Sequence, residues 1–107
     1  MAGVEGEEVE LDVEVEDEVA SAPTLRLTGE LDVATADVVR TALQPLIDAG
    51  PEQVTFHMAD VSFMDSSGLS VLLEAASKVS VVVAAPSAAV LRVIETTGLT
   101  DVLEVQR

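Results

Sequence analysis

Hydrophobic and acidic residues alternate near the start of the chain: Val9, Leu11, Val13 and Val15 are interleaved with Glu8, Glu10, Asp12, Glu14 and Glu16. A period of two predicts a strand with one buried face and one strongly charged face. Turn-forming and small residues fill Asp17 to Pro23. Thr24-Leu25-Arg26-Leu27-Thr28 then resumes the alternation, so these two segments are expected to pair antiparallel and to end at Gly29. Residues 1–8 are expected to be a flexible acidic segment.

From Thr35 the period lengthens. Val39, Leu43, Leu46 and Ile47 fall on one helical stripe, and Gly50-Pro51 supplies a stop. Pro45 lies inside this stripe. It removes one helical hydrogen bond and costs about 3 kcal/mol in a helix interior, which predicts a kink or break near Gln44. Val54, Phe56 and Met58 alternate with Thr55 and His57, so Gln53 to Ala59 reads as a strand and Asp60 to Met64 as the connection that follows.

Leu69, Leu72, Leu73, Ala76 and Val79 repeat with helical spacing, which places Ser70, Val71, Glu74, Ser77 and Lys78 on the other faces. Val79 to Ala84 is a β-branched run suited to a strand covered on both sides. Pro86-Ser87 opens a last helix with Ser87 as its cap, Val90, Leu91 and Ile94 as its buried stripe and Gly98 as its stop. Val102 to Val105 is expected to close the fold as a strand. Alternation of strand and helix from Thr24 onward predicts an α/β domain with right-handed crossovers, a mixed central sheet of about five strands and helices packed against it.

Composition narrows the function. At 107 residues the chain, 1–107, is one small domain. Its formal net charge of -15 argues against nucleic acid and against insertion into or adhesion to an anionic membrane, since such partners need basic patches. Protein partners with basic surfaces fit better. Nine of the 20 acidic residues precede Arg26, the first basic one, so the remainder is an ordinary acidic domain. The chain has no cysteine, which excludes disulfides, thiolate metal sites and thiol catalysis. Its start is acidic and lacks an apolar core segment, and no apolar run reaches membrane-spanning length, so the expected location is the cytoplasm.

The candidate chemistry lies in Phe63-Met64-Asp65-Ser66-Ser67-Gly68-Leu69, where a polar step stands between an apolar strand and an apolar helix. Asp65 or Ser66 is placed to cap the helix, Ser67 to fill its first turn and Gly68 to allow close backbone approach. The unpaired N–H groups and positive dipole end of a first turn also accommodate added negative charge, so a serine there is a candidate phosphate acceptor. Catalysis by Asp65, Ser66 and His57 is disfavoured, because no Gly-x-Ser-x-Gly elbow is present and the single histidine falls inside a predicted strand. One histidine, scattered carboxylates and no EF-hand spacing leave no metal site to propose, and Gly-rich phosphate loops are absent.

Leu25-Arg26-Leu27-Thr28-Gly29-Glu30-Leu31-Asp32, the Phe63 to Leu69 stretch, Ala85-Pro86-Ser87 and Thr97-Gly98-Leu99 together resemble a STAS domain, over roughly residues 24–105. The resemblance is narrower still, to bacterial anti-sigma factor antagonists. It implies a non-enzymatic, cofactor-free binding module that in its unmodified form binds an anti-sigma factor with serine-kinase activity, which in turn inactivates it by phosphorylation. A serine phosphatase is a further implied partner, and ATP belongs to the kinase. By motif position the phosphoacceptor is Ser66, with Ser67 as a second candidate, and Asp65 supports the local geometry. The implied binding face comprises Glu30, Leu31, Asp32, Asp65, Ser66, Ser67 and the exposed Ser70, Val71 and Glu74.

The chain departs from the family pattern in four places. The segment from Gly68 to Pro86 is short, which predicts a trimmed helix or turn. The chain stops at Arg107, right after its expected closing strand, where many relatives continue into a further helix, and its acidic first strand and Pro45 are also unusual. Two other functions remain open. One is an accessory STAS subunit of an ABC-type lipid-transport or a stress-signalling complex, with purely structural serines. The other is a hydrolase acting through Ser66.

Overall fold

The computed structural model describes residues 11–16, 22–98 and 102–107. The elements run β1 (Leu11–Glu16), β2 (Thr24–Leu31), α1 (Ala36–Asp48), β3 (Gln53–Met64), α2 (Ser66–Ala76), β4 (Ser80–Ala84), α3 (Ala88–Thr97) and β5 (Glu104–Gln106). They form an α/β domain with a mixed five-stranded sheet in the order β1-β2-β3-β4-β5. β1 pairs antiparallel with β2, as the alternating acidic pattern predicts, and the remaining neighbours pair in parallel.

Each β-α-β crossover therefore steps to the adjacent strand in the same direction. Right-handed crossovers that all step one way lay their helices on one face of the sheet. The burial pattern agrees: Leu25, Leu27, Val54, Phe56, Met58, Val81 and Val83 point inward from the strands and join Val39, Leu43, Leu72, Val90 and Ile94 of the helices in a single core. The interleaved Arg26, Thr55 and His57 are only half-buried, on the face without helices. Val82 is buried on that face too, in register with Thr55 and Glu104.

The strands outrun the sequence patterns at their carboxyl ends. β2 continues through Gly29 to Leu31, and the supposed connection Asp60 to Met64 is the second half of β3, paired with β2 through Gly29↔Val61, Glu30↔Phe63 and Leu31↔Met64. Register shifts between Arg26 and Thr28 and between Gly29 and Glu30 break the alternation there. Gly29 has φ 121°, a conformation that side chains other than glycine rarely adopt. β4 stops pairing with β3 at His57↔Ala84. Ser87 takes over where it stops: its N–H donates to the Met58 carbonyl at 3.1 Å and its hydroxyl to the Val61 carbonyl at 2.6 Å. Ser87 also caps α3 as expected, accepting from Val90 N–H, and Gly98 ends that helix in the left-handed conformation.

Other boundaries need correction. Helix α1 passes through Pro45 without a break. The proline opens the last turn, both it and Thr41 are exposed, and the buried Val39, Leu43 and Leu46 hold the helix to the core on either side of the missing bond. Leu91 is half-buried; Val90 and Ile94 are the buried residues of α3, and Val93 packs against the core beside them. β5 begins at Glu104; Val102 is 50% exposed and Leu103 is the buried residue that leads into the strand. Val9, residues 1–8 and most of the Asp17 to Pro23 turn, for which a strand, a flexible segment and a turn are expected, lie outside the described residues. Replacing Pro45 with Ala restores an N–H to the last turn of α1 and is expected to raise unfolding stability by up to about 3 kcal/mol. Urea unfolding checks this, and an unchanged midpoint would show that the last turn gains nothing from a complete ladder.

Candidate functional site

β2 and β3 end level, at Leu31 and Met64, and each feeds a helix through an aspartate. After β3 the turn is immediate. Asp65 is the N-cap of α2, and its Oδ1 accepts from Ser67 N–H at 2.9 Å and from Gly68 N–H at 3.4 Å. Of the two capping residues the sequence allows, Asp65 is therefore the one used. After β2 a short loop intervenes. Asp32 Oδ1 accepts from Ala34 N–H at 3.0 Å and Thr35 N–H at 3.1 Å, and the Asp32 carbonyl accepts from Ala36 N–H at 2.8 Å.

The two turns are joined. Asp65 N–H donates to the Leu31 carbonyl at 3.3 Å. Gly68 lies against the same strand ends, where a β-carbon would stand 2.7 Å from Leu31 Cγ and 2.8 Å from Met64 Cγ. One flank of the helix pair is tied as well. Arg40 of α1 grips Glu74 of α2 through Nε at 2.9 Å and Nη2 at 3.0 Å, while its Nη1 holds Asp37 at 2.8 Å. Hydrogen bonding from Arg40, reinforced by its charge, holds the Glu74 carboxyl below its ordinary range and raises the Arg40 guanidinium above its own. Both groups are well exposed, so the pair fixes geometry more than it adds stability.

Glu30, Asp32, Asp65, Ser66 and Ser67 thus converge on one rim, at the carboxyl ends of two adjacent parallel strands. Ser66 is exposed at the first position of α2, and Ser67 is partly buried behind it. Ser70, whose hydroxyl donates to the Ser66 carbonyl at 3.0 Å, continues the exposed stripe toward Glu74.

Two residues expected on the binding face do not reach it. Val71 is fully buried, because α2 is flanked by α1 and α3 and rests on β3 and β4, leaving only a narrow outward stripe. Leu31 is fully buried too; its side chain is the floor on which Gly68 sits. The rim also contains residues that the patterns did not single out: Val33, 77% exposed at the tip of the first loop, Phe63, 47% exposed at the end of β3, and the buried Thr35. An Asp three residues before a Thr at a helix start was the available signal for Thr35.

A hydrolytic triad does not assemble. His57 precedes Met64 by seven strand residues, about 23 Å along the strand, and its partners across the sheet are Arg26 and Ala84. Among the described residues no helix is long and apolar enough to cross a membrane.

Three outcomes test this geometry. Asp65→Ala, which removes the cap, is expected to cost about 0.5–2 kcal/mol in urea unfolding, with Asp65→Asn costing less. Gly68→Ala gains about 1 kcal/mol of helix propensity but overpacks the Leu31–Met64 floor at about 1–3 kcal/mol, so the net change is expected to be destabilising; a stabilised variant would mean that α2 does not sit so close. Carboxyl NMR is expected to find Glu74 titrating below the usual glutamate range, and to find it back in that range in Arg40→Gln. A depressed folded-state value means that the pair's contribution is present above the unfolded glutamate range and disappears as pH falls through the folded value.

The STAS domain model matches residues 10–107. The anti-sigma-B factor antagonist of Bacillus subtilis is 33% identical over 86 residues, covering 76% of this chain and 78% of that protein. The anti-sigma F factor antagonist of Paenibacillus polymyxa is 42% identical over 50 residues, 46% of this chain and 43% of its own length. Among solved structures, an anti-sigma factor antagonist from Mycobacterium paratuberculosis superposes with a TM-score of 0.81 at 25% identity, covering 90% of this chain and 85% of the other. Unphosphorylated SpoIIAA, an anti-sigma factor antagonist, superposes with a TM-score of 0.73 at 24% identity, covering 90% and 89%. The match of the STAS domain model across nearly the whole chain makes it a member of the STAS domain family.

Proposed function

We propose that this chain is a cytoplasmic anti-sigma factor antagonist: a non-catalytic module that, unphosphorylated, binds an anti-sigma factor with serine-kinase activity and is inactivated when that kinase phosphorylates Ser66. The observation that carries the reading is the placement of Ser66. It is exposed at the first turn of α2, while the Asp65 carboxylate that caps the turn uses backbone N–H groups and leaves the Ser66 side chain to solvent. Ser67, partly buried, is the less accessible acceptor.

The same geometry gives phosphorylation opposite effects on folding and on binding. A phosphate brings about two negative charges and three acceptor oxygens. At a helix start the dipole offsets part of that charge, so the fold tolerates the modification. A partner packed over Ser66 has no such compensation, and must bury a phosphate among Glu30, Asp32 and Asp65. Folding and binding are thereby controlled separately. ATP is bound by the kinase, and a serine phosphatase resets the module. The names of the Bacillus and Paenibacillus relatives support the antagonist role.

Incubation with the anti-sigma factor kinase of the same genome and ATP, followed by peptide mass spectrometry, is expected to place one phosphate on Ser66 and none on Ser66→Ala. Ser66→Asp is expected to keep the wild-type melting temperature within about 2 °C and to bind the kinase at least tenfold more weakly in calorimetry. Phosphate on Ser67 alone would move the site, and equal affinity of Ser66→Asp and wild type would falsify the switch.

A further inference from the structure

Thr35 stands at the N-cap of α1, yet its side chain makes no hydrogen bond to the first turn of that helix. A threonine at this position ordinarily turns its oxygen onto an N–H two or three residues ahead. Here it turns back into the preceding loop. Its hydroxyl oxygen accepts from Asp32 N–H at 2.9 Å, and its proton lies toward the Glu30 carbonyl at 2.8 Å. The residue is 5% exposed and is the one buried polar side chain among the described residues.

The first turn of α1 is served by Asp32, whose carbonyl accepts from Ala36 N–H. Thr35 is therefore free for a different task. Asp32 closes the loop from outside through Ala34 and Thr35 N–H, and Thr35 closes it from inside through the backbone of Glu30 and Asp32. Val33 is held at the tip, 77% exposed, with no role in the core. At its base, the loop is bonded to the Ser66 turn through the Leu31 carbonyl and Asp65 N–H.

We infer that Thr35 is a positioning residue for partner recognition: its buried hydroxyl holds the loop from Glu30 to Ala34, with Val33 at the tip, in the one conformation the kinase partner reads beside Ser66. The inference rests on the proposed antagonist function. A loop already ordered in the free protein spares binding the cost of ordering it. Without the hydroxyl the competent conformation becomes one of several, and apparent affinity falls by the fraction of time it is occupied, tenfold if that fraction drops to about one-tenth. A role confined to helix stability would instead lower the melting temperature and leave affinity unchanged.

The test pairs Thr35→Val, which removes the hydroxyl, with Thr35→Ser, which keeps it. In calorimetry against the kinase that modifies Ser66, well below the melting temperature of all three proteins, Thr35→Val is expected to bind at least tenfold more weakly than wild type. Thr35→Ser is expected to stay within about threefold. Amide exchange is expected to show the Asp32 N–H protected in the free wild-type protein and exposed in Thr35→Val, with Phe56 and Val83 protected in both. Equal affinity of Thr35→Val and wild type, or an Asp32 amide that exchanges freely in the free wild-type protein, overturns the inference and leaves the antagonist function standing. The wild-type measurement needs no variant, so it decides the matter even if Thr35→Val fails to fold. Wild-type protein that binds no such kinase overturns both.

Discussion

The seating of Gly68 on the side chains of Leu31 and Met64 is the contact from which the rest of the site follows. Two strands ending level give a flat apolar floor, and a helix backbone can approach it closely only where a residue has no β-carbon. With α2 pressed down at its first turn, the opposite side of that turn faces water, and Ser66 is there. Lift the helix by the width of a methyl group and the Asp65 cap, the bond to the Leu31 carbonyl and the exposure of Ser66 all shift together.

The two βα units that meet on this floor solve one problem in two ways. Each strand ends in an apolar residue and each is followed by an aspartate, whose carboxylate accepts first-turn N–H groups of the helix at Asp65 and N–H groups of the loop before the helix at Asp32. In the second unit the aspartate is itself the cap and the chain turns at once. In the first, three further residues are inserted before the helix, and a buried threonine is needed to keep them in place. The Arg40–Glu74 pair then fixes α1 against α2 along one flank.

Most of the architecture was readable from periodicity and run length, because β1 and the first half of β2 alternate against a single covered face and β4 is a short continuous apolar run. The failures have local causes. β3 loses its alternation after Met58, where Ala59, Asp60, Ser62 and Phe63 are exposed around a buried Val61, and an irregular register cannot be inferred from one strand without its partner. Propensity alone predicts a break at Pro45, whereas burial on both sides of it decides the outcome. Helical spacing with one covered side predicts an exposed Val71, and α2 has three covered sides. The serine step was legible as a helix start. The loop facing it was legible only in part, since nothing in its residue order shows that Thr35 turns backward.

Among the described residues, one face of the sheet and the outer side of β1 have no layer over them. A strand at the margin of a sheet carries a row of main-chain groups ready to pair with another strand, which is the usual starting point for unwanted self-association. Here Asp12, Glu14 and Glu16 project from that strand at every second position. Two copies brought margin to margin would set these carboxylates against each other. Carboxylates at every second position of the first strand therefore disfavour extension of the sheet into a neighbour, an effect that added salt screens.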